Sequence, residues 1–317
     1  MKIIDFEEIA NSIRIEDLFE PIKQVFIDYA SPELVGIPVS LLHFADNADA
    51  HIKIAAINGY PYFSVKVATM FPNNVAKNLP INNGAIFLFD AKTGELKATL
   101  NDKGLLTDLR TAATGALITD FLAPKNASSV AIIGTGYQAM SQVEALSKLR
   151  DNFSVQIYGR DYNKSEVLSK KLQKLCPQLD FKPAKTAEEA VKNCEIIITT
   201  TSSNEPIING AWLQKGQHIT AIGADDTFKN ELHQSVFDVA DHVYLDSLEL
   251  NYKYGEYSKA IKLKPNLIEK TTEFGKVFQA LNFRADLNKI TVAKLVGVGV
   301  QDLAAATLVF EKTQKLS

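Results

Sequence analysis

The chain has 317 residues, of which 46% are hydrophobic and 22% are charged, and its formal net charge is −3. This length favours two domains that each bury a core, and the composition is that of an ordinary globular protein rather than a disordered one. The sequence has no basic stripe, so we expect no nucleic-acid partner.

Metal, disulfide and membrane signals are all weak in this sequence. The five histidines and two cysteines lack the spacing of a metal site, so we predict no bound metal. Cys176 and Cys194 are interpreted as buried small hydrophobic residues in a reducing compartment. The N-terminal segment has acids in every turn, unlike a signal peptide, and no uncharged apolar run reaches the roughly 18 residues of a membrane span. We therefore expect a cytoplasmic protein without membrane contact.

The first third of the chain predicts a helix and then a sheet. Apolar residues recur at helical spacing over residues 14–29, which indicates an amphipathic helix. After Pro38, short apolar runs predict strands in VSLLHF, HIKIAAI, YFSVKVATMF and AIFLFDAKTGELKATL, with a hairpin at Lys92-Thr93-Gly94. An Ala-rich helical pattern covers residues 107–122. We expect an antiparallel or mixed sheet with a helix packed against it.

Beyond Ser128, strands and helices alternate. Strands are predicted in SSVAIIG, SVQIYG, EIIITTT, HITAIGA and DHVYLDS, and helices from Tyr137 to about Leu149, over 164–175 and over 186–194. Strands that are apolar on both faces belong to a parallel sheet covered by helices. The stretch LVGVGVQDLAAATLVFEKTQKL then predicts a Gly-rich turn that opens a helix.

A glycine-rich turn directly follows the first of these strands. The sequence Gly134-Thr135-Gly136-Tyr137-Gln138-Ala139 has the pattern G-x-G-x-x-A between a strand and a helix. The first glycine allows a tight turn, the second lets the backbone approach a pyrophosphate, and the helix N-terminus attracts phosphate. The fold class is therefore α/β, with a Rossmann dinucleotide-binding domain whose cofactor-binding residues include Gly134, Gly136, Gln138 and Ala139.

The end of the second strand bears on cofactor choice. NAD-selective sites usually carry an acid there, whereas this chain has Gly159 followed by Arg160. Arg160 suits the 2′-phosphate of NADPH, and its alternative reading is a solvated surface charge. Because Asp161 is adjacent and is an acid, NADH remains an alternative cofactor. We predict NADPH or NADH as cofactor and favour NADPH.

Three charged residues outside the turn are candidates for chemistry. Lys66 lies within an apolar strand, where a lysine is costly unless it is paired, and Arg110 lies among small residues of a helix. Asp225, with Lys229 four residues later, follows a strand at the carboxyl edge where open α/β sheets bind ligands. Two cations suit a substrate carboxylate, and the acid suits a protonated imine nitrogen.

Each of these residues also has a structural alternative. Lys66 could point outward on an edge strand, given the period-2 alternation of strands. Asp225 or Asp226 could cap a helix around Glu231. We interpret Glu231 and His233 as exposed helix residues.

At this point the sequence resembles the ornithine cyclodeaminase/μ-crystallin family over nearly the whole chain. The motifs that carry the resemblance are, in order, FSVKVATMFPNN…NLP, FDAKTGELKATL, LLTDLRTAATGAL, AIIGTGYQA, TTTSSNEPII, IGADDTFKNEL and LVGVGVQDLAAA. The resemblance implies that Lys66 and Arg110 bind the substrate carboxylate and that Asp225, with Lys66, is catalytic. It also implies that Thr200, Ser202, Gly223, Val296 and Gly297 join the cofactor site.

The resemblance further implies a domain arrangement. Residues 1–118 and 298–317 would form an α+β domain for substrate binding and dimerisation, built from the N-terminal segment and the C-terminal helix. Residues 119–297 would form the Rossmann domain. The expected assembly is a homodimer.

Two departures from the family pattern bear on the substrate. Lys53 stands where ornithine cyclodeaminase carries a glutamate for the distal amine, and like charges about 4 Å apart repel by ~1–4 kcal/mol. A proline-flanked arginine of the family is absent from residues 36–40. His51 and Lys53 alternate onto one strand face, so both enter the pocket or neither does.

These departures favour an imine reductase over an ammonia lyase. The first prediction is NAD(P)H-dependent reduction of a small α-imino acid, best Δ1-pyrroline-2-carboxylate to L-proline, which belongs to proline metabolism. If Lys53 faces the pocket, it joins the substrate-binding residues and a second carboxylate, as in iminosuccinate or the substrate of another amino-acid dehydrogenase, becomes attractive. The alternatives are an ornithine cyclodeaminase with bound NAD and a non-catalytic ligand carrier.

Overall fold

The computed structural model describes residues 1–30, 34–36, 38–46, 48–280, 286 and 288–315. The chain divides into two compact units. The first unit comprises Met1–Thr111 and Val298–Ser317, and the second comprises Ala112–Gly297. The boundary at Thr111 falls inside the helix that the sequence predicts over residues 107–122.

A mixed sheet forms the centre of the first unit. Its strands among the described residues are β1 (Lys2–Ile4), β2 (Leu34–Gly36), β3 (Val39–His43), β4 (Asp49–Ile57), β5 (Tyr62–Met70), β6 (Asn82–Asp90) and β7 (Leu96–Leu100). The order is β1-β7-β6-β5-β4-β2, and β3 also pairs with β4. Only β1 pairs in parallel, with β7. The predicted strands and the hairpin between β6 and β7 are confirmed.

The amphipathic helix predicted over residues 14–29 is present as a 3-10 turn followed by an α-helix, with further helices before and after it. The helices are α1 (Phe6–Ser12), α2 (Phe19–Tyr29) and α3 (Leu105–Leu122), with 3-10 turns at Ile15–Leu18 and Pro72–Lys77. Helix α2 buries Ile22, Val25, Phe26 and Tyr29, which recur at the spacing of one helix face.

The second unit is built on an eight-stranded parallel sheet. Its strands are β8 (Ser129–Ile133), β9 (Ser154–Tyr158), β10 (Asp180–Pro183), β11 (Ile196–Thr199), β12 (His218–Ala221), β13 (His242–Leu245), β14 (Thr271–Glu273) and β15 (Thr291–Lys294). The order is β10-β9-β8-β11-β12-β15-β13-β14. Every residue of β11 and β12 is buried, which explains why β11 is apolar at three of its four positions. The predicted α/β fold with a parallel, Rossmann-type sheet is confirmed, although β10, β14 and β15 had no prediction.

Within the part of the unit that the structure describes, helices connect these strands. They are α4 (Tyr137–Leu146), α5 (Tyr162–Leu175), α6 (Ala187–Lys192), α7 (Gln234–Val239), α8 (Leu248–Asn251), α9 (Gly255–Leu263) and α10 (Phe274–Phe278). Helix α4 ends earlier than the predicted Leu149, and α8–α10 had no prediction. The chain then returns to the first unit as α11 (Gly299–Lys315), which packs on α2 and on strands β4 and β5.

Both cysteines are buried and free, as predicted. Among the described residues, no group of three or more His, Cys, Asp and Glu side chains is arranged to hold a metal ion. No helix in the described part of the chain is both long and apolar enough to cross a bilayer.

Candidate active site

The turn after β8 has the geometry of a phosphate-binding turn. Gly134 adopts φ +130°, and its N–H donates to the carbonyl of Tyr158 at 2.8 Å. A Cβ at Gly134 would lie 2.5 Å from Oγ1 of Thr200. A side chain at position 134 would therefore both strain the backbone and displace the neighbouring loop.

The N-terminus of α4 offers its amide groups beside this turn. Gly136 is the N-cap and provides no side-chain hydrogen bond, and a Cβ there would meet no atom within 4 Å. Ala139 is fully buried under the helix, whereas Gln138 is half-buried. An open space over a helix N-terminus that begins with a glycine N-cap fits a phosphate of a dinucleotide.

The end of β9 carries no acid in the position that NAD-selective sites use. A Cβ at Gly159 would lie 2.5 Å from Cγ2 of Thr135, so the strand end packs directly on the turn. Asp161 caps helix α5 by accepting a hydrogen bond from the N–H of Asn163 at 3.0 Å. Arg160 is exposed. Asp161 therefore has a structural role, and Arg160 is the charged side chain left at this strand end.

A buried carboxylate organises the loops that follow β11 and β12. Glu231 is 0% exposed and accepts hydrogen bonds from Oγ1 of Thr199 at 2.7 Å and from the N–H groups of Thr201 at 2.5 Å and Gly223 at 2.7 Å. The prediction that Glu231 is an exposed helix residue is wrong, because it lies in a non-helical segment and faces backbone donors from two other strand ends. His233 is exposed as predicted, but it caps α7.

The remaining cofactor candidates lie on the same loops. Thr200 donates from its N–H to the carbonyl of Ile133 at 2.9 Å, and Ser202 is exposed. The N–H groups of Val296 and Gly297 donate to Oδ2 of Asp246 at 2.8 and 2.6 Å. Those two amides are thus used within the chain, where they fix the turn before α11.

The cationic candidates of the first unit meet at a carboxylate that the sequence analysis missed. Oδ2 of Asp302 lies 2.8 Å from Nζ of Lys66, and its Oδ1 accepts a hydrogen bond from Nε of Arg110 at 2.9 Å. Nη1 of Arg110 donates to Oε1 of Gln301 at 2.8 Å, and that oxygen also accepts from the N–H of Val298 at 2.9 Å. Lys66, Arg110 and Asp302 are 1%, 4% and 1% exposed.

The alternative in which Lys66 points outward from an edge strand is wrong. Lys66 lies in the middle of β5, which has β4 on one side and β6 on the other. The contact between Lys66 and Asp302 is an ion pair without the alignment of a directional hydrogen bond. It is strengthened by burial, since little solvent screens it.

Burial and the crowding of cations set the protonation of this cluster. Burial lowers the pKa of Lys66 to about 7, the charges of Arg110 and Lys53 act in the same direction, and Asp302 opposes them. Burial alone would raise the pKa of Asp302, but Arg110, Lys66 and Lys53 outweigh it and hold the pKa below its ordinary value. Asp302 is therefore ionised, while Lys66 can gain or lose a proton near neutral pH.

Lys53 belongs to the same cluster. It lies directly opposite Lys66 in the register of β4 and β5, and it is 5% exposed. Directly opposed residues of paired strands share a sheet face, so the two ammonium groups repel each other. His51, two residues earlier on β4, lies 3.4 Å from Asp49.

Asp225 lies in the second unit, in the loop after β12. Its Oδ1 accepts a hydrogen bond from Nζ of Lys229 at 2.7 Å. Asp226 instead closes a turn, since its Oδ1 accepts from the N–H groups of Phe228 and Lys229, both at 2.7 Å. The segment is not helical, so neither aspartate caps a helix around Glu231. The structure thus brings Lys53, Lys66 and Arg110 together in one unit and Asp225 and Lys229 together in the other.

One sequence signal could have identified Asp302. It lies in the first turn of α11, and the next four residues are Leu-Ala-Ala-Ala. The turn that follows Asp302 therefore has no polar side chain and offers no solvated helix face. A charged residue in such a setting needs a buried partner. Asp246 gives no comparable signal, because most of its partners are backbone amides, including those of Val296 and Gly297 from a distant segment.

Comparisons with known proteins agree with this architecture. The profile of the Ornithine cyclodeaminase/mu-crystallin family matches residues 2–317. The chain is 35% identical to an uncharacterized cyclodeaminase of Sinorhizobium fredii, over 100% of this chain and 97% of the relative. It is 29% identical to a Delta(1)-pyrroline-2-carboxylate reductase of Bacillus cereus, over 98% of this chain and 96% of the relative.

A solved structure gives the same picture. An archaeal alanine dehydrogenase dimer with bound NAD superimposes with a TM-score of 0.89 at 29% identity, covering 99% of this chain and 96% of that one. Since the family profile spans almost every residue and the relatives align over nearly their full length, the chain belongs to the ornithine cyclodeaminase/mu-crystallin family.

Proposed function

We propose that this protein is an oxidoreductase that uses a nicotinamide dinucleotide to reduce the C=N bond of a small α-imino acid. The favoured reaction is conversion of Δ1-pyrroline-2-carboxylate to L-proline. The observation that carries the proposal is the buried cluster in which Asp302 holds Lys66 and Arg110. A buried pair of cations on neighbouring elements suits a substrate carboxylate.

The second unit supplies the residues that would hold the cofactor. Gly134, Gly136, Gln138 and Ala139 form the turn and the helix start for the pyrophosphate, and the loops with Thr200, Ser202, Gly223, Val296 and Gly297 complete the proposed site. A bound nicotinamide would supply or accept a hydride. Similarity to an NAD-bound dimer of 29% identity supports this choice of cofactor.

The chain's own residues have three tasks in this reaction. Lys66 and Arg110 bind the substrate carboxylate and fix the position of its α-carbon. Asp225 stabilises the proton on the imine nitrogen, which makes the imine carbon a better hydride acceptor. Hydride adds to that carbon, the C=N π electrons become the nitrogen lone pair, and the proton stays on nitrogen to give the amine. Lys66, with its pKa near 7, can carry its charge at neutral pH when a carboxylate binds.

The position of Lys53 argues against a diamino acid as substrate. A buried ammonium opposite Lys66 disfavours the distal ammonium of ornithine. Reduction of an imine with an apolar ring requires no partner for such a group. We therefore favour the reductase over the cyclodeaminase, although a relative of 35% identity is named as a cyclodeaminase.

A dicarboxylic imino acid such as iminosuccinate is the second candidate. Lys53, Lys66 and Arg110 are three buried cations, and each of them lowers the pKa of Asp302. A second substrate carboxylate would interact favourably with Lys53. A lower KM for iminosuccinate than for Δ1-pyrroline-2-carboxylate, with the preference reversed by Lys53→Met, would favour this candidate.

NADPH is the proposed cofactor, and a homodimer in the cytoplasm is the proposed state. Arg160 supports NADPH, since Asp161 is used as a helix cap.

Exposed apolar side chains of the first unit support dimerisation; they include Leu42, Phe44, Leu79 and Ile81. Light scattering of the purified protein should give the mass of two chains.

The deciding experiment follows NADH and NADPH oxidation with a panel of imino acids. The panel contains Δ1-pyrroline-2-carboxylate, Δ1-piperideine-2-carboxylate, iminosuccinate and pyruvate with ammonia. Ornithine is tested in parallel for ammonia release. Oxidation with a cyclic imine supports the proposal, whereas ammonia release from ornithine without net NADH formation would identify a cyclodeaminase. Inactivity towards every compound would favour a ligand carrier.

Two variants test the assigned roles. Asp225→Ala should lower kcat strongly, and Arg110→Ala should mainly raise KM for the imino acid. Glu249→Gln is the matched control, because Glu249 and Lys253 form an i,i+4 pair of 2.7 Å on the surface of the same unit as Asp225. Unchanged kcat in Asp225→Ala would remove its catalytic role.

A further inference from the structure

A buried lysine lies directly behind the loop that carries Asp225. Lys294, at the end of β15, is 0% exposed. Its Nζ donates to the carbonyls of Ala224 at 2.6 Å and Leu295 at 2.8 Å, and a third carbonyl, of Ala221, lies at 3.5 Å. Burying an ammonium is costly unless its N–H groups are hydrogen-bonded. These hydrogen bonds therefore hold both the lysine side chain and the carbonyl groups in place.

A second contact holds the other side of Asp225. The N–H of Gly255 donates to the carbonyl of Asp226 at 2.7 Å. Gly255 adopts φ +69°, and a Cβ there would lie 2.8 Å from the carbonyl oxygen of Ala224 and 2.8 Å from Cε of Lys294. The carbonyls of Ala224 and Asp226, the residues on either side of Asp225, thus each accept a hydrogen bond from a buried residue.

Glu256 lies beside Lys294; burial raises the pKa of its carboxyl to about 7, and the charge of Lys294 acts to lower it. Its Oε2 lies 3.7 Å from Nζ of Lys294, and both side chains are almost fully buried. Within the described part of the chain, neither carboxylate oxygen of Glu256 accepts a hydrogen bond. Glu256 therefore interacts with Lys294 through charge rather than through a directed hydrogen bond.

We propose that Lys294 is a positioning residue that fixes the Asp225 loop through the Ala224 carbonyl, with Glu256 as its counter-charge. The proposal rests on the proposed function, in which the Asp225 carboxylate acts at the imine nitrogen. That role requires the carboxylate at hydrogen-bond distance from the nitrogen, and a displacement of about 1 Å can cost roughly 100-fold in rate. Lys294 touches neither of the reacting groups in this scheme and acts through the backbone.

The test replaces Lys294 by an uncharged side chain of similar length. Lys294→Met should lower kcat roughly 10- to 100-fold and change KM for the imino acid far less, because the carboxylate-binding residues belong to the other unit. Hydrogen–deuterium exchange should increase in the peptide covering residues 222–229. Lys259→Met is the matched control, since Lys259 is exposed and reaches the Phe228 carbonyl of this loop only at 3.5 Å. It should change neither kcat nor exchange.

A double variant separates positioning from stability. Lys294→Met alone removes the charge that lowers the pKa of Glu256, so the buried carboxyl takes up a proton at neutral pH, at a cost to the stability of the fold. Lys294→Met with Glu256→Gln removes this titrating carboxyl, so its melting temperature should recover while kcat stays low and loop exchange stays fast. Recovery of kcat together with the melting temperature would overturn the proposal.

Asp225→Asn separates this inference from the proposed function. If Asp225→Asn abolishes reduction while Lys294→Met reduces substrate at the wild-type rate with unchanged loop exchange, Lys294 has no positioning role and the proposed function stands. If Asp225→Asn is as active as the wild type, the proposed function fails. In that case increased exchange in Lys294→Met would still establish that Lys294 fixes the loop, and wild-type exchange would overturn it.

Discussion

Asp302→Asn is the most direct test of the proposal that Lys66 and Arg110 bind the substrate carboxylate. The substitution keeps the shape of the side chain but removes the charge that Lys66 and Arg110 share at 2.8 and 2.9 Å. Gln301 still accepts from Arg110, so the guanidinium keeps one partner. The main consequence falls on Lys66, whose pKa is lowered by burial and by neighbouring cations and is held near 7 by Asp302.

The expected size of the effect follows from this environment. Removing one partner of a buried ion pair typically costs about 3–5 kcal/mol of stability, and we expect about 3 kcal/mol because Lys66 can shed its proton. The pKa of Lys66 should fall below 7, so the lysine is neutral at neutral pH. Loss of one charge-assisted hydrogen bond to the substrate, about 1.5–3 kcal/mol, should raise KM for the imino acid roughly 10- to 100-fold.

The pH dependence gives a second measurement with a defined sign. Unfolded Lys66 keeps its proton up to its ordinary pKa of 10.5, whereas folded Lys66 loses it near 7. Between these values the unfolded state binds more protons, so the contribution of Lys66 to stability increases as pH rises. In Asp302→Asn the pH range over which Lys66 contributes in this way should extend to lower pH. The KM for the imino acid should decrease as the pH is lowered below 7, because Lys66 regains its proton.

The assays are steady-state kinetics across pH and urea unfolding. Asp17→Asn is the control, because Asp17 forms a 2.7 Å pair with Lys312 of the same helix α11 but is partly exposed. It should change KM little and stability by less than about 1 kcal/mol. A KM for Asp302→Asn that matches the wild type at every pH would refute the reasoning.

Three further predictions concern the second unit. Gly136→Ala should fold with the wild-type melting temperature yet bind NADH or NADPH roughly tenfold more weakly, because its Cβ projects over the helix N-terminus, whereas Gly134→Ala should lose both stability and binding. Equal melting temperatures for the two variants, compared by calorimetry, would contradict this. Burial lowers the pKa of His218 from 6.5 to about 3, so the unfolded state takes up this proton first as the pH falls, and the free energy of unfolding decreases. In urea unfolding, the wild type should lose about 3 kcal/mol of stability through His218 between pH 6.5 and roughly 4, and His218→Gln should not show this part of the decrease. Arg160→Ala should raise KM for NADPH and leave KM for NADH unchanged, and equal effects on the two cofactors would rule out its contact with the 2′-phosphate.

Much of the fold could be predicted because the periodicity of apolar residues reports burial directly. The strands from β3 to β9 are apolar at alternate or successive positions, and the turn at Gly134 needs a glycine for a local reason. The short elements β10, β14 and α8 have three or four residues each. Such segments are too short for a period to emerge, and their structure depends on neighbouring strands.

The buried acids could not be predicted for a different reason. Glu231 and Asp246 accept hydrogen bonds from backbone amides of segments that follow other strands. Every residue except proline has a backbone N–H, so the sequence does not indicate which one will be the donor. Charged residues are usually exposed, so Glu231 was assigned to a surface. Lys66 was recognised only because an apolar strand surrounds it on both sides in the sequence.

The return of α11 to the first unit imposes an order on how the protein is assembled. A ribosome releases β1 through β7 early, then all of Ala112–Gly297, and only afterwards the helix with Gln301 and Asp302. Until that helix docks, Lys66 and Arg110 lack the charge of Asp302, and the sheet beneath them lacks its cover. The first unit is therefore incomplete while the second unit can already fold, and the cluster of Lys66, Arg110 and Asp302 forms only in the last step of folding.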